Sequence, residues 1–284
     1  MTWTQILGGI DFGETPRWHD GRLWFSDFYQ QTISSVGENG QRRIEVSYDG
    51  QPAGLGWLPD GRLLFVSMLD QRIMRVEGDG SIVEHADLAD IAGGPCNDMV
   101  VGSAGNAYVG NFGSDVFNGA EPTTSTLAIV WADGAVTAAT ETEGLQFPNG
   151  AVITDDQSTL IIGETMGGRY TAFTITPDRR LSNRRVWAEV PGMAPDGCTI
   201  DAEGAIWFGD AAGKQVVRVV EGGEITDRLE TPDSTYACML GGSDGRTLYA
   251  LSCPHAMPAD AAGAGAGTLL STRVEVPRGP SSRP

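Results

Sequence analysis

Four oxygen-bearing side chains, Glu14, Asn97, Asn149 and Asp196, stand at one phase of a repeating pattern. Asn97, Asn149 and Asp196 each lie eight residues before the second residue of a turn, at 105, 157 and 204, and Glu14 lies seven before 21. The same count of eight reaches Ala53 before 61 and Ala237 before 245. Two carboxylates and two amides, with no thiolate or imidazole among them, suit a hard divalent cation whose shell is completed by water. Calcium fits best because it tolerates irregular oxygen shells; magnesium, manganese and zinc are the alternatives, zinc being least natural without His or Cys. A lone Asn or Asp at a strand start more often shapes a turn than holds an ion. Oxygen at the same phase in four of six repeats outweighs that bland reading. In the local sequences FGETP, PCND, FPNG and PDGC, three of the four candidates follow or nearly follow a proline and two precede a glycine, which frees the backbone for close approach.

Those residues need a scaffold that brings one phase of each repeat to a common axis. A turn followed by an apolar strand recurs as DGRLWFSD at 20–27, DGRLLFVS at 60–67, AGNAYVGN at 104–111, DQSTLIIG at 156–163, EGAIWFGD at 203–210 and DGRTLYAL at 244–251. Successive turns are 40, 44, 52, 47 and 41 residues apart. A second strand follows each unit (TISSV, RIMRV, LAIVW, RYTAF, VVRVV and LLSTRV), and a further turn usually follows that. This spacing predicts an all-β, six-bladed β-propeller made of four-stranded antiparallel meanders. The last unit has only three strands, so TWTQIL at 2–7 is expected to close the ring as the outer strand of blade six. One domain is expected over 1–276, with the Ala/Gly tract 261–267 as a loop of blade six and 277–284 as a flexible C-terminal tail.

Composition narrows the function classes. The chain has 284 residues and 40% hydrophobic content, and 39 glycines and 15 prolines argue for strands and turns over helix. With 19 Lys+Arg against 37 Asp+Glu, the net charge of −18 repels phosphate backbones and anionic lipid, so neither nucleic acid nor membrane is expected as a partner. No run of about 18 apolar residues suggests a membrane helix. The start MTWTQILGGIDFGE has neither a basic region nor an apolar core, so a cytoplasmic location is expected. Cys96, Cys198, Cys238 and Cys253 form no CxxC pair and read as free thiols. An isolated propeller is a complete unit, so a monomer is expected.

Other catalytic sets find no support. His19, His85 and His255 all miss the channel phase and read as surface or turn residues. There is no GxSxG elbow and no HExxH. Cys198, two residues past Asp196, reads as a packed thiol because no base accompanies it. Trp18, Trp24, Trp57 and Trp207 read as core between blades, whereas Phe12, Phe112, Phe117, Phe147 and Met166 fall in loops beside the candidate ligands and would shape an apolar pocket.

Taken together, FGETPRW, CNDMVVGSAGNAYVGNFG, GLQFPNGAVITDD, LSNRRVW, PDGCTIDAEGAIWFGD and ACMLGGSDGRTLYAL resemble the SMP-30/gluconolactonase/LRE family, that of senescence marker protein 30 (regucalcin) and bacterial sugar lactonases, over roughly residues 10–276. The resemblance implies that Glu14, Asn149 and Asp196 are direct metal ligands, that Asn97 contacts water or substrate, and that Asp196 is the general base. It implies a metal-dependent hydrolase of lactones or related esters, the metal polarising the carbonyl and Asp196 activating water. A metal-assisted cyclase, isomerase or strictosidine-synthase-like condensing enzyme of secondary metabolism is the alternative, as is a non-enzymatic calcium-binding propeller. Sugar-binding members often carry arginine two residues before the Asn97 position, where this chain has Pro95. Asp115 and Glu164 are the expected further substrate contacts, Asp115 replacing part of that lost polarity.

Overall fold

Asp-Gly and related dipeptides do what their chemistry predicts. Asp60, Asp133, Asp156, Asp201 and Asp244 each accept a hydrogen bond from the backbone N–H two residues on, at 2.9–3.1 Å. The second turn residue of every repeat lies in the left-handed region: Gly21, Gly61, Gly105, Gly204 and Gly245 at φ 71–87, and Gln157 at φ 60. Gln157, which lacks glycine's freedom, donates from its side chain to Thr154 O at 3.2 Å and accepts from Ser103 N–H at 3.2 Å.

These turns fold the chain into a six-bladed β-propeller of six four-stranded antiparallel sheets, seen here in a computed structural model that describes residues 2–279. The inner strands are Gly13–His19, Pro52–Trp57, Cys96–Val101, Pro148–Ile153, Pro195–Ile200 and Thr235–Gly241. Each packs against the inner strands on either side, and the sixth meets the first, so the ring closes. The N-terminal strand Thr4–Ile10 pairs antiparallel with Gly267–Arg273 and completes blade six, three residues later in the chain than the sequence pattern alone placed its end. Trp3 also donates its indole N–H to Glu230 O at 2.8 Å, tying this strand to blade five.

Side chains alternate across each strand, so every blade feeds two apolar gaps. In blade three, Met99, Val101 and Val109 pack toward blade two, while Val100, Tyr108 and Ile129 pack toward blade four. Six such layers occur, one between each pair of neighbouring blades. Trp24 and Trp57, Trp18 and Trp207 lie in or against three of them, as expected of blade core. The four cysteines are free and buried. Among the described residues no helix is long and apolar enough to cross a membrane.

Three residues of the expected tail are described, and backbone hydrogen bonds of Pro277 and Arg278 fasten it to the propeller. Ala202 N–H donates to Pro277 O at 2.8 Å and Arg278 N–H donates to Gly245 O at 2.9 Å. Residues 280–284 lie outside the described residues.

Candidate functional site

In each blade the pairing between first and second strands slips by one residue at the channel end. The irregularity follows Glu14 in blade one and brackets Ala53, Asn97, Asn149 and Asp196 in blades two to five. A bulge bends its strand and re-aims a side chain. Here it turns one residue per blade out of the ladder, at a place the repeat count had already marked.

The register also corrects that count. Gly13, Pro52, Cys96, Pro148, Pro195 and Thr235 pair with the corresponding ends of the second strands, so the residues after them are equivalent. In blade six that residue is Tyr236, not Ala237. The blade-six inner strand, Thr235–Gly241, is one residue longer than those of blades two to five, which shifts a count made from Gly245.

Three of the four oxygen-bearing residues are linked directly, and all four are buried. Asn97 Nδ2 donates to Asn149 Oδ1 at 3.0 Å. Asn149 Nδ2 donates to Thr165 Oγ1 at 3.3 Å and toward the Asp196 carboxylate, and Thr165 Oγ1 donates to Pro195 O at 2.8 Å. Glu14 Oε2 accepts the Thr15 N–H at 2.8 Å. Asp196 Oδ1 is buried without a hydrogen-bond partner. Burial, the Asp196 charge and the Asp98 charge push the Glu14 carboxyl well above its ordinary range. Burial and the Asp98 charge do the same to Asp196. Two buried carboxylates in each other's field, one with an orphaned oxygen, form a place that favours positive charge. Among the described residues no group of three or more His, Cys, Asp or Glu gathers as a metal cluster, and this donor set is completed by amides instead. Such a mixture of carboxylate and amide oxygens fits a hard divalent cation.

Beside the four oxygen donors lies a second layer that the sequence reading missed. Arg17 donates to Asp98 Oδ1 at 2.5 Å, to Met99 O at 2.7 Å, to Leu55 O at 3.1 Å and to Pro16 O at 2.9 Å. Both side chains are buried, and the guanidinium joins the inner strands of blades one, two and three. The signal was present as an Arg and an Asp inside otherwise inward-facing strands, in FGETPRW and PCND.

A family model described as the SMP-30/gluconolactonase/LRE-like region matches residues 12–253. The chain belongs to this family. A pentonolactonase of Haloferax volcanii is 30% identical over 259 residues, covering 88% of this chain and 84% of that protein. Among solved structures, a luciferin-regenerating enzyme superposes with a TM-score of 0.81 at 20% identity, covering 98% of this chain and 97% of the other. A calcium-binding regucalcin from Agrobacterium tumefaciens gives 0.80 at 21% identity, covering 96% and 93%.

In this SMP-30/gluconolactonase/LRE-like chain Asp115 and Glu164, both expected as substrate contacts, are engaged by their own neighbours. Asp115 is exposed, and its two oxygens accept from the Asn118 backbone N–H at 3.3 Å and side-chain amide at 2.8 Å, capping a short 3-10 turn. Glu164 is fully buried and accepts from Arg169 Nε at 2.8 Å, Thr171 Oγ1 at 2.5 Å and Gln146 N–H at 2.8 Å. Burial raises its pKa, but the bonds from Arg169, Thr171 and Gln146 outweigh burial and hold it below the ordinary range. Glu164 belongs instead to a set that ends every second strand: Asp27, Ser67, Asn111, Glu164, Asp210 and Ser252. Asp27 and Asp210 likewise accept backbone N–H groups of the neighbouring loops. The recurring polar residue closing FSD, FVS, VGN, IIGE, FGD and ALS carried that signal.

The remaining candidates also find places. His85 is buried, against the expectation of a surface residue, and sits 3.0 Å from Arg75 in the outer part of blade two. His19 stacks on Trp57 at 3.9 Å. Cys198 is buried in blade-five core, and burial pushes its thiol well up. Phe147 stacks on Phe112 at 4.2 Å, Phe117 meets Phe112 edge-on at 5.3 Å, and Phe12 lies 4.8 Å from Tyr236. Met166 is 51% exposed. The Ala/Gly tract is fastened beside Phe12, because the Asp11 carboxylate accepts from Gly263 N–H at 2.7 Å and Gly265 N–H at 2.9 Å.

Proposed function

We propose that this protein hydrolyses a lactone at the channel end of its propeller, with one divalent cation, calcium by preference, held by Glu14, Asn149 and Asp196. The observation that carries this reading is the buried Glu14–Asp196 pair with the orphaned Asp196 Oδ1, beside two inward amides. The family and the pentonolactonase relative support the choice of lactone. A cation bound there supplies positive charge against the charge that develops on a lactone carbonyl oxygen under attack.

The chain's own residues do the rest. Asp196 Oδ1 takes a proton from water as the water oxygen bonds to the carbonyl carbon. The ring C–O bond then breaks, and the proton passes from Asp196 to the departing alkoxide, leaving a hydroxy acid. Burial and the Asp98 charge raise the Asp196 pKa in the protein alone; beside a bound divalent cation it is drawn back down and the carboxylate stays ionised. Asn97, held by its bond to Asn149, orients water or substrate. Glu14, fixed by the Thr15 N–H, stands on blade one, across the ring from Asn149 on blade four.

Calcium titration by calorimetry, with hydrolysis of a lactone panel, tests the reading on wild type, Glu14→Gln and Asp196→Ala. Wild type should bind one calcium, Glu14→Gln should bind it at least about tenfold more weakly, and Asp196→Ala should lose about 100- to 10,000-fold in turnover. Undiminished turnover in Asp196→Ala removes it as the base, and a protein that binds no divalent cation removes the metal assignment.

A further inference from the structure

We propose that the site takes lactones carrying an alkyl or aryl substituent in preference to polyhydroxylated ones, an inference that rests on the lactonase reading above. Two aromatic groups stand on blades at opposite sides of the ring and belong to one apolar cluster. Tyr236 occupies the ring position of blade six, and Phe12, two residues before Glu14, lies 4.8 Å from it and 5.8 Å from Tyr29. Blades three and four, diametrically opposite in a six-bladed ring, supply the second group. Phe147, two residues before Asn149, stacks on Phe112 at 4.2 Å and 9°, with Phe117 edge-on to Phe112 at 5.3 Å. Phe112 is tied to the strand start of Asn97, because its N–H donates to Pro95 O at 3.0 Å.

Four of these rings, Tyr29, Phe117, Phe147 and Tyr236, are only half-buried and keep surface free. Phe147 is held at φ 57, where a bulky residue rarely sits, and such strain persists where the surrounding structure fixes a side chain for a purpose.

Apart from the ring donors themselves, with Asp196 Oδ1 open, the carboxylates nearby are spoken for. Asp115 is capped by Asn118, Glu164 by Arg169, Thr171 and Gln146, Asp11 by Gly263 and Gly265, and Asp27 by Asp11 and Phe12 N–H groups. Two residues before Asn97 the chain offers Pro95, which has neither a side-chain donor nor an N–H. A polyol entering between these rings would lose water at its hydroxyls and gain few partners, whereas an alkyl or aryl group gains burial.

Steady-state kinetics on the calcium-supplemented full chain should compare alkyl-substituted γ- and δ-lactones and dihydrocoumarin with pentono- and gluconolactones. The apolar lactones should lead in kcat/KM by about tenfold or more. Phe117→Ala and Phe147→Ala, at half-buried positions and checked for unchanged melting, should each raise KM for the alkyl lactones by about tenfold. A lead for the polyols, or unaltered KM in both variants, overturns the substrate assignment while leaving lactonase activity in place. If no lactone is turned over, the lactonase reading falls, and calorimetry with unreactive lactams of matched ring size decides the class. Tighter binding of the alkyl lactam supports the aromatic site; equal or tighter binding of the polyol lactam, or binding of neither, overturns it.

Discussion

Arg17 shows how much one buried side chain can hold together. Its guanidinium satisfies three carbonyls and Asp98, so its loss leaves Asp98 buried without its counter-charge. Arg17→Met should cost about 3–5 kcal/mol in urea unfolding, and Asp98→Asn added to it should restore part of that loss. A double variant no more stable than the single one would show that the pair is not the source of the effect. Glu164 provides a pH test. Its folded pKa lies below the ordinary value, so its contribution to stability is present above that value and is lost as pH falls through the folded one. Glu164→Gln should therefore flatten the loss of stability as pH falls below the ordinary glutamate range, measured by thermal unfolding at several pH values. At this scale the four oxygen donors were legible, because identical phase in a repeat survives without coordinates. Tyr236 was not, because one extra residue in the blade-six inner strand shifts the count.

The strand scale explains why the donors can converge at all. Gly54, Gly150 and Gly197 each follow a ring residue and let the next inner strand come close. A Cβ on Gly150 would stand 2.4 Å from Asp196 O and 2.7 Å from Cys198 N, and one on Gly54 2.6 Å from Met99 N. Those neighbours are backbone, which cannot swing away. Gly150→Ala should cost about 1–3 kcal/mol and weaken calcium binding, because relief moves the backbone that carries Asp196. Thermal unfolding and calorimetry on the same preparation check both effects, and unchanged calcium affinity would separate blade packing from site geometry. The glycines were visible in FPNG and PDGC, and their use in close approach was expected. The bulge that turns each ring residue inward was not, since strand slippage leaves no mark in residue type.

Closure belongs to the whole molecule. The strand Thr4–Ile10 supplies the outer edge of blade six, and without it Gly267–Arg273 becomes an open edge. Deleting residues 2–8 also removes the Trp3 bond to blade five. The melting temperature should fall by about 10 °C or more, measured by calorimetry on the shortened chain. An unchanged value would mean that the ring holds without this clasp.

Turn chemistry, two-residue alternation and a recurrence of roughly 40 to 50 residues determined the six-bladed propeller and the phase of Glu14, Asn97, Asn149 and Asp196 from sequence alone. Local rules suffice there because each Asp-Gly turn and each apolar strand acts over a few residues. Only the tertiary structure decided that Glu164 anchors loops, that Asp115 caps its own turn, that Tyr236 stands at the ring, and that Arg17 reaches Asp98 across 81 positions of chain. Those outcomes depend on which groups meet between blades. Hydrogen-bond satisfaction in a buried space is a property of the assembled neighbours, not of any one residue's type.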